Sequence, residues 1–342
     1  MAIKILEPGF NVTLQDYGRP KFQHLGVPVS GAISPILLRL GNSLVSNSEY
    51  EGGLEMRLMG PTFEVLCNSV RIAVVGTSTP IEIIDGGVVI QPANQSITVK
   101  KGQIVRIGNI SDTGTAYLTI EGGFNLPKVY DSLSTYVRAG IGGYEGRALL
   151  AGDIISLNLS SVSVRGELKL NDTWFMEEGG PIRIILGPQD DYFSSSSIET
   201  FLTAKYTVTT ETDRMGIRLD GPKLEHSRGY NIVSDGIVTG AIQVPGTGQP
   251  IMLLADHQTT GGYPKLGTVI SADISRLGSL CPGEEITFIQ TTVGEAEQIL
   301  SEQELKIKTA IETPRENPIE AAIAQPIALK YSINCAFKSS PI

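Results

Sequence analysis

The apolar residues of this chain come in short pieces. Val70 to Val75, Val88 to Ile90, Ile104 to Ile107, Ala116 to Ile120, Ile182 to Leu186 and Ile286 to Ile289 are all runs of six residues or fewer. Thirty-eight glycines and nineteen prolines punctuate them. A helix that buries one face needs a sustained 3.6-residue period, which such pieces cannot supply. A strand needs only a few β-branched residues between turn formers. The chain is therefore expected to be mainly β, with many short strands.

Helical signals are few. Ser34-Pro35 opens Ile36-Leu37-Leu38-Arg39-Leu40 with an N-cap serine and a proline at the first helical position. Ser196 and Glu199 have capping-box spacing ahead of Phe201. Asp273 is placed to cap Ile274, Leu277 and Leu280, and a last amphipathic stretch runs from about Glu295 to Leu305.

The segment Arg57 to Glu64 (RLMGPTFE) recurs 161 residues later as Arg218 to Glu225 (RLDGPKLE), identical at five of eight positions. An echo at about one domain length predicts two related halves, with a boundary in the polar, glycine-flanked stretch 160–180. We place the domains at 1–170 and 171–307. Residues 308–342 are expected to form a loosely attached tail, because IETPRENPIEAAIAQP breaks the helical pattern.

Composition excludes several classes. Net charge is −9 and the 27 basic residues are scattered, which argues against a nucleic-acid partner. No apolar run approaches the roughly 18 residues of a membrane span, and the N-terminus turns at Pro8-Gly9 before a signal-peptide core forms. Cys67, Cys281 and Cys335 are odd in number and far apart, as reduced thiols of a cytoplasmic protein would be. There is no G-x-S-x-G elbow, HExxH, CxxC, carboxylate cluster for a metal, biotin-attachment lysine or ATP-binding loop. The chain alone is thus expected to bind no metal and no cofactor.

Chemistry concentrates in three places. The apolar run Ile251 to Ala255 breaks into Asp256-His257-Gln258-Thr259-Thr260-Gly261-Gly262-Tyr263-Pro264-Lys265, which gathers an acid, an imidazole, an amide, hydroxyls, a phenol and an amine. Histidine suits proton transfer near neutral pH, and Lys265 suits a carboxylate or an oxyanion. Just upstream, the loop Gln243 to Pro250 offers the amides of Gln243 and Gln249. Near the N-terminus, Asp16, Arg19 and His24 lie in a second polar, turn-rich loop. A third stretch carries Arg138 and Arg147, but its glycines miss the dinucleotide pattern at Glu145.

These motifs carry a resemblance. LQDYGRPKFQHLGVPVSGAIS (14–34), GLEMRLMGPTFEV (53–65), STYVRAGIGGYEGRALLAGD (134–153), LGPQDDYF (186–193), DRMGIRLDGP (213–222) and SDGIVTGAIQVPGTGQPIMLLADHQTTGGYPK (234–265) are similar to the allophanate-hydrolase-subunit-2 / KipA family. The resemblance runs from about Leu6 to Thr291 and leaves the C-terminal tail uncovered. It implies two β-barrel-like, cyclophilin-like domains. It also implies the C component of an ATP-dependent 5-oxoprolinase, in which a KipI-like B component and a LamB/YcsF-like A component join in hydrolysing 5-oxo-L-proline to L-glutamate. ATP would be used by that complex. The same modules form the carboxyltransferase part of urea carboxylase, where carboxybiotin is the donor. A third role implied by the family is that of a regulator opposing a KipI-type kinase inhibitor.

For a small amide substrate, His257 is the expected proton-transfer group. Asp256 is expected to orient it and raise its pKa, with Lys265 as the third catalytic residue. Asp16, Arg19, His24, Gln243, Gln249, Gln258, Thr259 and Tyr263 are the expected substrate contacts, Lys265 and Arg19 serving a carboxylate. The loops Asp16 to His24 and Gln243 to Lys265 are expected to meet in one cleft.

Overall fold

The computed structural model describes residues 1–171, 173–176, 179–313 and 315–317. Within them the strands are short and the fold is mainly β. In the N-terminal half, a six-stranded sheet orders Ile154–Ser156, Ala2–Glu7, Thr62–Val65, Ile104–Arg106, Ile81–Ile84 and Val88–Gln91. A five-stranded sheet orders Thr13–Gln15, Gly53–Met56, Ala116–Ile120, Ser69–Val75 and Ser96–Lys100. Both close on one core, to which the first sheet contributes Ile3, Ile5 and Phe63, and the second Leu54, Val74 and Leu118. Their buried faces account for the runs Val70 to Val75 and Ala116 to Ile120, whereas Val88 and Ile90 on the edge strand are exposed.

The C-terminal half is one eight-stranded sheet with Glu285–Ile286 at one edge and Phe288–Gln290 at the other. Only Thr287 separates these edge strands in the chain, so the sheet curls until it nearly closes on itself. A closed sheet has no free edge, which is the usual reward of barrel formation. The expected run Ile286 to Ile289 is therefore two strands with the barrel seam between them. Phe201, Tyr206 and Phe288 pack inside, with centroids 4.3 to 6.0 Å apart, Phe201 stacked on Phe288 and Tyr206 edge-on to Phe288.

Four α-helices occur among the described residues. Helix α1 (Pro35–Leu44) starts as expected, although Ser34 makes no side-chain cap bond; its backbone amide donates to the Tyr117 hydroxyl instead. Helix α2 (Ser195–Thr203) is capped by Ser194, whose hydroxyl accepts from the Ser197 amide, rather than by Ser196. Helix α3 (Ser271–Leu277) begins before Asp273, which serves Arg183 and does not cap. Helix α4 (Val293–Glu312) is a 20-residue helix with a Thr292/Glu295 capping box. It carries past residue 307, and Arg315–Asn317 then pairs with Glu167–Lys169, so the expected tail is ordered into the fold up to there. Residues 318–342 lie outside the described set, as does Cys335. The 161-residue echo falls in unlike settings. Arg218 lies within a strand and no strand follows Gly221-Pro222, whereas Arg57 follows one strand and Thr62 begins another.

The segment before α1 joins the halves. Ile33 is buried in the second core, and Ile36 to Leu44 pack with Ile307 in a third cluster. This crossing needs two tight approaches. Gly18 has φ +77°, and a Cβ there would lie 2.4 Å from the Val29 carbonyl oxygen; a Cβ on Gly31, at φ +88°, would lie 2.9 Å from the Gly18 nitrogen. Gly18→Ala is therefore expected to cost about 1–3 kcal/mol. The check is a lowered urea midpoint at unchanged slope, and an unchanged midpoint would show that the turn relaxes freely.

Candidate functional site

Ser30 and Gly31, which follow the expected Asp16 to His24 loop, meet the Ala255 to His257 turn across the crossing. The Ser30 amide donates to the Ala255 carbonyl at 3.0 Å. Arg214, which follows Asp213 in a turn before the strand Gly216–Asp220, reaches across the same junction. Its Nε and Nη2 bind the two Asp256 oxygens at 2.8 and 3.1 Å, Nη2 also binds the Gly31 carbonyl at 2.7 Å, and Nη1 binds Glu55. Glu55 sits on the strand Gly53–Met56, where its second oxygen accepts from the Tyr117 hydroxyl at 2.5 Å and the Ile33 amide at 3.0 Å. Burial lowers the Arg214 pKa, but Glu55 and Asp256 outweigh it and raise it, so the guanidinium stays charged.

Asp256 is therefore spent on Arg214 and does not orient His257. The His257 ring is wholly buried, and its Nδ1 lies 2.6 Å from the Gln258 carbonyl oxygen. A carbonyl can only accept, so Nδ1 carries the proton and Nε2 is left with a lone pair. Burial lowers the His257 pKa, partly opposed by the Gln258 bond and by Asp256. The expected rise does not occur: desolvation dominates, and Arg214 has already neutralised the acid.

Four buried polar atoms at this junction lack a hydrogen-bond partner among the described residues: Arg19 Nη1, Ser30 Oγ, Gln243 Nε2 and His257 Nε2. Buried polar atoms are normally satisfied, so orphans on the segments that these hydrogen bonds join are candidates for meeting a ligand's groups. Arg19 is buried in the N-terminal turn, with Nε 3.4 Å from the Val129 carbonyl and Nη2 on the Ser134 carbonyl. Its pKa is lowered by burial, while Asp16 and Asp256 oppose the shift and Arg214 adds to it. Gln243 is joined to Gln258 at 3.4 Å. The set offers one acceptor and three groups able to donate.

The other expected residues are placed differently. The Asp16 carboxylate accepts from Gly18, Ser132, Leu133 and Ser134 at 2.5 to 2.8 Å, so it anchors its own turn. Lys265 is buried and its Nζ pairs with Asp235 at 3.1 Å, under the ribbon of Asp235–Gly236 and Thr260–Gly261. His24 is exposed at the end of the 3₁₀ turn Pro20–Leu25. Gln258 and Tyr263 are exposed, and Thr259 contributes its carbonyl to the Ile237 amide. Gln249 is not at the junction: its Nε2 binds the Gly221 carbonyl, and it lines a separate cavity of about 360 Å³ with Thr209 and Arg218. Arg147 is held by Asp153 and Glu145.

A larger cavity, about 850 Å³, lies elsewhere along the seam, between Ser34, Asp112, Trp174, Arg183, Arg276 and Cys281. None of the expected residues lines it, and Arg183 there is already paired with Asp273. Chemistry rather than size thus places the candidate site at the junction. Ser30, Glu55 and Arg214 belong to it although none was singled out from the sequence. Among the described residues, no three His, Cys, Asp or Glu side chains gather as metal ligands would, and no helix is long and apolar enough to cross a membrane.

Residues 25–290 match the family model described as carboxyltransferase domain, subdomain A and B. The chain is 32% identical to the 5-oxoprolinase C subunit of Escherichia coli over 88% of this chain and 95% of that protein. It is 30% identical to urea amidolyase of Saccharomyces cerevisiae over 90% of this chain, but only 18% of that protein. The crystal structure of Kluyveromyces lactis urea amidolyase superposes on 90% of this chain and 20% of that one, with a TM-score of 0.82 at 30% identity. A match over most of the chain's length, at these identities and with the same fold, makes this chain a member of the carboxyltransferase-domain family, subdomains A and B.

Proposed function

We propose that this chain is the C component of a 5-oxoprolinase, hydrolysing 5-oxo-L-proline to L-glutamate with ATP in a complex with a KipI-like B component and a LamB/YcsF-like A component. The observation that carries this reading is its match to two 5-oxoprolinase C subunits over 95% and 96% of their lengths, where it covers only 18% of the urea amidolyases. The junction suits such a substrate. A lactam presents N–H and C=O on one edge, complementary to the His257 Nε2 lone pair beside donors from Gln243 and Ser30. Arg19 Nη1 is the donor for the carboxylate. In the hydrolysis, water adds to the carbonyl carbon, the C–N bond breaks, and the ring nitrogen becomes the amine of glutamate. His257 carries the proton between water and nitrogen. The nucleotide chemistry is assigned to the other two components.

A second reading is favoured by the urea amidolyase superposition at a TM-score of 0.82: transfer of a carboxyl group from carboxybiotin to a urea- or amide-type nitrogen. Biotin would come from another polypeptide. The same His257 lone pair would then accept the proton that the nitrogen loses.

Reconstitution decides between them. The purified chain is expected to show no ATPase or 5-oxoprolinase activity. It should acquire both when mixed with the KipI-like and LamB/YcsF-like components, forming a stable complex by size-exclusion chromatography with light scattering. Turnover by the chain alone, or an assembled complex inert toward 5-oxoproline but active with a biotin carboxylase and urea, sinks the first reading.

A further inference from the structure

We propose that Arg214 is a positioning residue of this site. By holding the Asp256 carboxylate it keeps that acid off the neighbouring imidazole, and it ties the His257 turn to the N-terminal half so that Nε2 stays open between groups of both halves. The inference deepens the reading of His257 given above and rests on it.

The grip is double. The Arg214 guanidinium takes both Asp256 oxygens, and the Arg214 carbonyl accepts from the Asp256 amide at 2.9 Å. Next door the Met215 carbonyl accepts from Leu254 at 2.9 Å, and the His257 amide donates back to Leu254 at 3.1 Å. The turn that carries His257 is thus laid along residues 214 and 215. From the other half, Gly31 takes the second Nη2 hydrogen and Glu55 one from Nη1, and Ser30, next to Gly31, holds Ala255. Apart from the Ser30–Ala255 bond, the hydrogen bonds that tie Gly31 and Glu55 to the Asp256 turn pass through Arg214. The fork spreads its donors over three nitrogens, taking both Asp256 oxygens from Nε and Nη2 while Nη1 reaches Glu55. A lysine has three hydrogens too, but on one nitrogen, which cannot reproduce that bidentate, spread geometry.

The charged group that acts on the imidazole is Asp256; Arg214 pairs with it and with Glu55 on its buried strand, and Arg19 on the N-terminal turn feels Asp256 and Arg214. Lys265 is paired with Asp235. Loosening the fork releases Asp256 toward the imidazole. The test is Arg214→Lys in the full chain, followed by imidazole NMR titration with His24→Gln and His226→Gln as assignment controls, and by kinetics of the reconstituted complex. His257 is expected to titrate about one unit higher than in wild type. The complex should lose roughly 10- to 100-fold in kcat with KM within about twofold. A moved titration with unchanged kcat keeps the clamp and sinks the proton-transfer role of His257. An unmoved titration with full kcat overturns the proposal. Should the lysine variant not fold, Asp256→Asn reads the same point: with the acid already withdrawn it is expected to lower the His257 pKa by less than about half a unit. A fall of more than a unit would show Asp256 acting on the imidazole directly.

Discussion

Replacing His257 with glutamine leaves folding and assembly of the complex intact and lowers its turnover roughly 10²–10⁴-fold, the range lost when a positioned acid–base group is removed. Glutamine fills much of the same space and can still donate to the Gln258 carbonyl, so the buried turn keeps its internal bond. What it lacks is an unshared pair that takes and returns a proton. That capacity resides in Nε2, because Nδ1 is committed to a carbonyl 2.6 Å away. The pH dependence follows from the lowered pKa of the buried ring. The working form is neutral, so the acid limb of kcat/KM should fall below the ordinary histidine value of about 6.5, and it should vanish in the variant. Stability moves in the same sense. Below about pH 6.5 the unfolded chain binds a proton at this residue that the native state resists, so stability is lost as pH falls from there toward the lowered native pKa. Near-wild-type turnover by the His257→Gln complex would reduce this turn to scaffold.

Local signals carried the fold well. A strand such as Ser69–Val75 is apolar and β-branched enough to declare itself, and Pro35 marks the first turn of α1 without ambiguity. What local reading missed is contact between distant residues. Asp273 looks like a cap in sequence because nothing there reveals Arg183, ninety residues away. Asp256 looks like a partner for His257 because it is adjacent, while the residue that claims it is Arg214. The N-terminal loop was legible as polar and turn-rich, yet its acid proved to be the turn's own anchor, and beside the expected Arg19 an unexpected atom is left open, the Ser30 hydroxyl. One signal was available and unused. Glu55 stands in the strand Gly53–Met56, all four of whose residues are buried, and a charge in such a place requires a partner.

That partnership sets the second large effect. Glu55→Gln is expected to destabilise the chain by about 3–5 kcal/mol, the cost of breaking a buried ion pair by removing one member. The carboxylate is 2% exposed and accepts from Arg214, Tyr117 and Ile33. An amide in its place carries no charge for Arg214, and its NH₂ group must face donors. The contrast is Lys205–Glu285, whose side chains are 69% and 57% exposed; Glu285→Gln should stay within about 1 kcal/mol, as surface pairs do. Denaturant unfolding measures both. Because Glu55 and Asp256 share one guanidinium, their losses should not add. The Glu55→Gln, Asp256→Asn double variant should differ from the sum of the singles by about 1 kcal/mol or more. Strict additivity with Asp256→Asn would mean that the two carboxylates are not coupled through Arg214, and Glu55→Gln within about 1 kcal/mol of wild type would mean that the Glu55–Arg214 pair adds geometry without stability.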